Sequence, residues 1–475
     1  MLFLQLILLM LALVWGCVLI LRGTLLQGCT LLLIASCCFS RQFWSLNAGP
    51  LPLSIDRLML LALCGWYLLH RSKGFSQPKQ MTTVDWLFIA FIGWISISTF
   101  SHDYTRQFGT MAMPLWKLIG GFLMPASVYW IGRQSRLDER TVRGAYLGLA
   151  LFGIYLAFTG IMEVMHQWTF VFPTYISNPN IGIHFGRARG PMLSSVPYGT
   201  ILIACFLALW LIASQLQTRS KVLIAVFVAP LFMAATYFSY TRSVWLGLAG
   251  SGFIVAVMSL KGRTRVAVVV SALTVATVVG LTKFDKFLSL EREYSGATSA
   301  RSAETRLAFA YVSWQMFLDR PVQGFGFGQF ITAKWPYLND QNTDLMLEDI
   351  RTRPHHSTLL SLLCETGLTG IALFLATIAG WLGQAIWIWR QPDAPTWARN
   401  HAIVLCAFMV SYMLQCLFHD FTYTSEINYL LLLLAGITSG ITSNMCAERG
   451  AANATRQTAT SEIRQTFAPG LSLPR

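Results

Sequence analysis

The stretch RPHHSTLL, residues 353–360, sets an arginine, a proline and two of the chain's eight histidines against a run of leucines. Histidine is the side chain that takes up or releases a proton near neutral pH. One at the mouth of an apolar segment is therefore a candidate general base. Two adjacent histidines on a helix point about 100° apart and cannot both address one small reactant. The HxxxH spacing of a shared metal site is missing, so one of His355 and His356 is expected to be structural or to support the other. Pro354 ends the preceding loop, and Ser357 or Thr358 is placed to cap a helix running through SLLCETGLTGIALFL. A helix N-terminus disfavours the imidazolium, so a neutral, proton-accepting ring is expected there.

Other polar groups collect nearby in the pattern. In FSYTRSVWLGLAG, Arg242 lies in a turn too short to reach far into water. It either snorkels to lipid headgroups or offers a fixed cation to a phosphate. In RSAETRLAFAYVSWQMFLDRPVQGFGFGQF, apolar residues from Leu307 to Leu318 recur at helical spacing, an amphipathic helix lying on a membrane or capping a cavity. Arg306 stands near its start, where anions are favoured. The glycines 324, 326 and 328 follow a helix instead of a strand, so they read as a flexible turn and not as a nucleotide loop. In LFHDFTYTSEINYL, His419, Asp420 and Glu426 are equally readable as ordinary loop charges or as groups that orient an imidazole or counter an arginine. Arg187 and Arg189 add positive charge before a Gly-Pro turn.

The elements that must position these residues are membrane helices. The 475 residues are 55% hydrophobic and 12% charged, with mean hydropathy +0.54, the composition of an all-α polytopic membrane protein. Apolar windows near 2–21, 24–39, 51–69, 84–100, 111–131, 143–165, 198–215, 221–239, 243–259, 265–282, 357–389, 400–418 and 427–444 predict about 12–13 transmembrane helices. The first window lacks the basic n-region and cleavage site of a signal peptide and reads as a retained span. Basic residues gather after alternate spans (Arg71 and Lys73; Arg133, Arg136 and Arg140; Lys221; Lys261 and Arg263; Arg390). This places those loops in the cytoplasm and the catalytic candidates on the outer face.

The net charge of +14 is thereby an orientation signal spread over short loops, not a nucleic-acid surface. The ten cysteines, mostly within apolar runs and without CxxC spacing, read as small buried residues. The chain divides into ten spans over 1–282, a large outward loop with an amphipathic helix over 283–356, three spans over 357–444, and a disordered cytoplasmic tail over 445–475.

Taken in order, SYTRSVWLG, ETRLAFAYVSWQMFLDRPVQGFGFGQF and PHHSTLLSLLCETGLTGIALFL resemble the signature segments of the bacterial O-antigen ligase and polysaccharide polymerase superfamily. The likeness covers about residues 185–380, and its specificity lies in the order and spacing of three short patterns. The resemblance implies a glycosyltransferase of the bacterial inner membrane with its active site facing the periplasm. It implies transfer of a glycan from undecaprenyl diphosphate to a second glycan or to lipid A core, without metal or other cofactor. By position it makes Arg242 and Arg306 the diphosphate-binding residues and His356 the catalytic one. His355 departs from the pattern, and it joins Arg189 and Asp420 as a possible supporting residue. The alternative function is a transporter or flippase of lipid-linked glycans, which also wants arginines for phosphate. It predicts many charges deep in the spans and internal repeats, whereas Lys117 and Glu163 are the main such charges and no repeat is visible.

Overall fold

The computed structural model describes residues 23–48, 51–76, 78–105, 113–272, 274 and 299–466. Over these residues the chain is a bundle of helices with one short hairpin, β1 (Ser45–Ala48) and β2 (Leu51–Ser54). The helices that matter here are α1 (Leu25–Cys38), α2 (Ile55–Ser72), α3 (Thr83–Phe100), and α4, built from Pro114–Leu118, a π-turn Ile119–Leu123 and Met124–Gln134. They continue with α5 (Glu139–Val164), α6 (Ser195–Ser214), α7 (Thr218–Tyr237), α8 (Arg242–Ser259), α9 (Ser299–Asp319), α10 (Thr358–Arg390), α11 (Thr396–Cys416) and α12 (Ser425–Thr466).

Among the described residues, α3, α5, α6, α7, α8, α10 and Ser425–Ala452 of α12 are long and apolar enough to cross a membrane. The windows at 24–39, 51–69, 111–131 and 400–418 also hold helices, α1, α2 (after the strand β2), α4 (from Pro114) and α11. The window at 2–21 and residues 273 and 275–282 of the window 265–282 lie outside the described residues. The chain is an all-α polytopic membrane protein.

Local chemistry sets the helix starts. Thr82 and Asp85 close a capping box on α3, and Asp138 accepts the Thr141 N–H at 2.8 Å to begin α5. Helix α12 continues to Thr466, through much of the segment where composition predicts disorder; its Ala, Arg, Glu and Gln residues are strong helix formers even without an apolar face.

The π-turn of α4 brings its backbone against the α11–α12 connection. Asn428 Nδ2 donates to the Gly121 carbonyl at 2.8 Å, and a Cβ at Gly121 would collide with the Thr422 carbonyl. Away from the main core, Ala308, Phe309, Val312 and Met316 of α9 pack with Phe330, Leu338, Leu347, Ile350 and Cys364 into a second, smaller core. This fixes the segment 299–356 onto the first turns of α10. Leu307, Trp314 and Leu318, on the opposite face of α9, are exposed.

Candidate functional site

The site is assembled where the chain enters α10. Ser357 is the N-cap: its hydroxyl accepts from the Leu360 N–H at 3.4 Å and donates to the Cys416 carbonyl at 3.0 Å. Thr358 donates its N–H and its hydroxyl to the His419 carbonyl, at 3.1 and 2.9 Å, and its Oγ1 accepts the Phe421 N–H at 2.9 Å. The first turn of α10 is thus clamped to the connection between α11 and α12. Beside the clamp opens a cavity of about 800 Å³ whose walls include Arg306, Arg353, His356, His184, His419 and Asp420. Its remaining wall is mostly apolar, with Ile183, Val196, Phe418 and Phe421 among it.

Two of the three principal candidates meet there. His356 is exposed, with Phe309 packed edge-on to its ring at a centroid distance of 4.9 Å. Arg306 comes from the first turns of α9, its guanidinium carbon 5.4 Å from the centre of the Phe418 ring. Arg242 opens α8, and the residues on either side of it are tied to cavity histidines. Ser243 Oγ lies 2.9 Å from His419 Nε2, and Thr241 Oγ1 lies 2.9 Å from Ser195 Oγ, which is itself 2.9 Å from His184 Nδ1. The turn before it holds Tyr240 at φ 44°, a left-handed conformation that a tyrosine adopts only when its surroundings impose it; Arg187 donates to its carbonyl at 3.3 Å.

The three supporting candidates separate. His355 is buried, and its Nδ1 accepts the Ser357 N–H at 2.9 Å. The neutral ring then carries its proton on Nε2, which donates to Ser313 Oγ at 2.6 Å. Burial, with the nearby Lys117, His356 and Lys334, holds its pKa well below the usual imidazole range. Wedged between Phe309 and Phe330, it plugs the small core and fixes the approach to His356.

Arg189 is also fully buried. Its Nε pairs with Glu163 Oε1 at 3.1 Å, and its two terminal nitrogens donate to the carbonyls of Ile181, Ile176 and Asn178. Its charge is neutralised in place, so it shapes the loop that carries Ile183 and His184 and acts on the cavity only through that loop. Asp420 does line the cavity. Its Oδ1 accepts from the Thr422 N–H and hydroxyl at 3.0 and 2.7 Å, and burial raises its pKa.

Sequence reasoning passed over two features. Arg353 lies on the cavity wall two residues from the first histidine, and Lys334 holds it there. The Lys334 ammonium is completely buried and donates to the Ile350 and Arg353 carbonyls at 2.5 and 2.6 Å, above the Phe330 ring. Burial pushes its pKa down to about 7. The second feature is a break in α10 at Gly367, with φ 67° and ψ −169°. The glycines 324, 326 and 328, all at positive φ, let the preceding loop lie against this break. The Phe325 and Gly326 N–H groups donate to the Cys364 and Glu365 carbonyls, and the Phe330 N–H donates to Glu365 Oε1 at 3.1 Å. The other oxygen of Glu365 pairs with Lys117 Nζ at 2.8 Å. The expected flexible turn is a fitted joint, and the acidic residue of the ETG run is its pin. Among the described residues, no group of three His, Cys, Asp or Glu side chains is placed to hold a metal ion.

No curated protein matches the chain. A family model described as O-antigen ligase matches residues 228–375, the stretch that contains Arg242, Arg306, Arg353, His356 and Glu365. The two segments that close one wall of the cavity, and the joint that braces them, therefore fall within the match, while α11 and α12 lie beyond it. Residues 228–375 are thus similar to the O-antigen ligase family, and they carry the larger part of the cavity's charge, Arg306 and Arg353.

Proposed function

We propose that this protein transfers a glycan from undecaprenyl diphosphate to an acceptor sugar hydroxyl at the periplasmic face of the inner membrane, inverting the anomeric centre without a metal. The observation that carries this reading is the meeting of Arg306, Arg353 and His356 on one cavity of about 800 Å³ with an apolar wall. Arg242 and Arg306 hold the diphosphate, and their fixed charge stabilises the negative charge that grows on it as the glycosidic C–O bond breaks. His356 takes the proton of the acceptor hydroxyl while that oxygen bonds to the anomeric carbon from the opposite side. The bonding pair leaves with the diphosphate. A diphosphate is a good leaving group with little protonation, whereas a sugar hydroxyl is a poor nucleophile without a base, so each charged group has one task.

Purified protein given native lipid-linked glycan and acceptor tests the roles. Replacing His356 with Ala is expected to slow transfer by about 10²–10⁴-fold with donor binding retained; full turnover would remove the base from the scheme. Replacing Arg242 and Arg306 together is expected to abolish binding of undecaprenyl diphosphate, and unaltered binding would remove the clamp.

A further inference from the structure

Lys117, Glu365 and Asp420 meet from three separate parts of the chain, with Asp420 Oδ2 3.9 Å from the Lys117 ammonium. That separation is too long for a hydrogen bond, and Oδ2 is buried and accepts none among the described residues. Beside it lies a pocket of about 250 Å³, bounded also by Phe330, Ile331 and Tyr423, which shares Pro354, Asp420 and Tyr423 with the large cavity and so forms a branch of it. A buried carboxylate oxygen left without a donor is costly.

The chemistry of the walls limits what can supply that donor. Two carboxylates oppose an anion, and the ammonium opposes a cation. An apolar group would leave Asp420 Oδ2 still without a donor. A neutral group rich in hydroxyls fits, because each hydroxyl donates to a carboxylate and accepts from the ammonium, while Phe330, Ile331 and Tyr423 give the pocket apolar lining for the carbons of a sugar. A volume of about 250 Å³ lies just below the usual range for ligand pockets, about 300–1,000 Å³, and suits a single ring.

The geometry points to a second subsite: the branch pocket between Lys117, Glu365 and Asp420 takes one hydroxylated sugar ring, from the donor glycan or from the acceptor, while the diphosphate occupies the main cavity. This rests on the glycan-transfer reading above. Asp420 accepts a ring hydroxyl through Oδ2, and Lys117 donates to a neighbouring oxygen.

Three measurements on purified protein in detergent test it: affinity for sugar-free undecaprenyl diphosphate, affinity for native lipid-linked glycan, and the rate of transfer. Asp420→Asn removes the accepting charge; Ile331→Phe fills the pocket and leaves every charge in place. Both variants are expected to retain wild-type affinity for undecaprenyl diphosphate and to lose transfer about 10–100-fold at fixed substrate. If affinity for lipid-linked glycan falls as well, the ring belongs to the donor; if it is unchanged, the ring belongs to the acceptor. Wild-type transfer in a folded Ile331→Phe variant would overturn the subsite. So would an equal loss of undecaprenyl diphosphate affinity in both variants. Failure of the wild-type protein to bind undecaprenyl diphosphate would instead overturn the glycan-transfer reading itself.

Discussion

At the scale of single residues, the pair His355–His356 shows how adjacent identical side chains acquire different work. One is sealed between two aromatic rings with both ring nitrogens engaged, and the other is exposed on the cavity. Spacing alone dictated that they diverge; which of them is sealed depended on the small core formed by α9, which no local pattern announces. Lys334 was illegible for the same reason, since a lone lysine in a polar stretch reads as solvated. Its burial has a consequence in pH. Its folded pKa of about 7 lies below the ordinary lysine value, so between about pH 7 and pH 10 the unfolded chain holds the proton more tightly than the folded one. This lysine's contribution therefore makes the fold more stable as pH rises through that window. Comparing thermal unfolding at pH 7 and pH 9, the wild-type midpoint is expected to rise relative to that of Lys334→Met, which has no such proton to lose. Parallel midpoints would refute the assignment.

Among the elements, hydropathy made most of the described membrane helices readable to within a few residues, α12 running on well past its apolar window, because a long apolar run in lipid has few alternatives to a helix. The interruptions were hidden by that same uniformity. Nothing in SLLCETGLTGIALFL marks a helix broken in its middle, and the partner of Glu365 is separated from it by most of the chain, at Lys117. Gly367 is the point at which the break can be tested. A Cβ there is set against the Val322 carbonyl and must adopt φ 67°. The change Gly367→Ala is expected to cost about 1–3 kcal/mol from backbone strain alone and to lower transfer by displacing the glycine loop, measured as unfolding midpoint and rate together.

At the far end of the bundle, Arg133 of α4 is completely buried, with its Nη2 2.9 Å from Asp85 Oδ2. From sequence it counts among the basic residues that orient the loops; in the fold it is a tie between α3 and α4. Replacing Asp85 with Ala strands that cation and is expected to destabilise the protein by about 3–5 kcal/mol, read as a fall in detergent-stable protein with donor affinity per folded molecule unchanged.

For the whole molecule, the remaining choice is between handing a finished glycan to a different acceptor and extending one repeat with another. Under the proposed function the same cavity would serve both. Deleting the gene and resolving the glycans by gel distinguishes them: long chains stranded on the lipid carrier indicate a ligase, and single repeats indicate a polymerase. The likeness read from three short motifs agrees with the family match over residues 228–375, yet the cavity also draws on residues 183–197 and 418–424, outside that stretch.

The clamp at the entrance to α10 bears on how such a protein can change. His184, Arg353, His419 and Asp420 stand on connections between helices, while the bundle beneath is held by its own apolar core. Substitutions in those connections alter the cavity without altering what inserts into a bilayer. The bundle acts as a chassis and the connections as its exchangeable tooling, so descendants that accept different molecules can arise, or be engineered, by rewriting a few dozen residues at one end of the molecule.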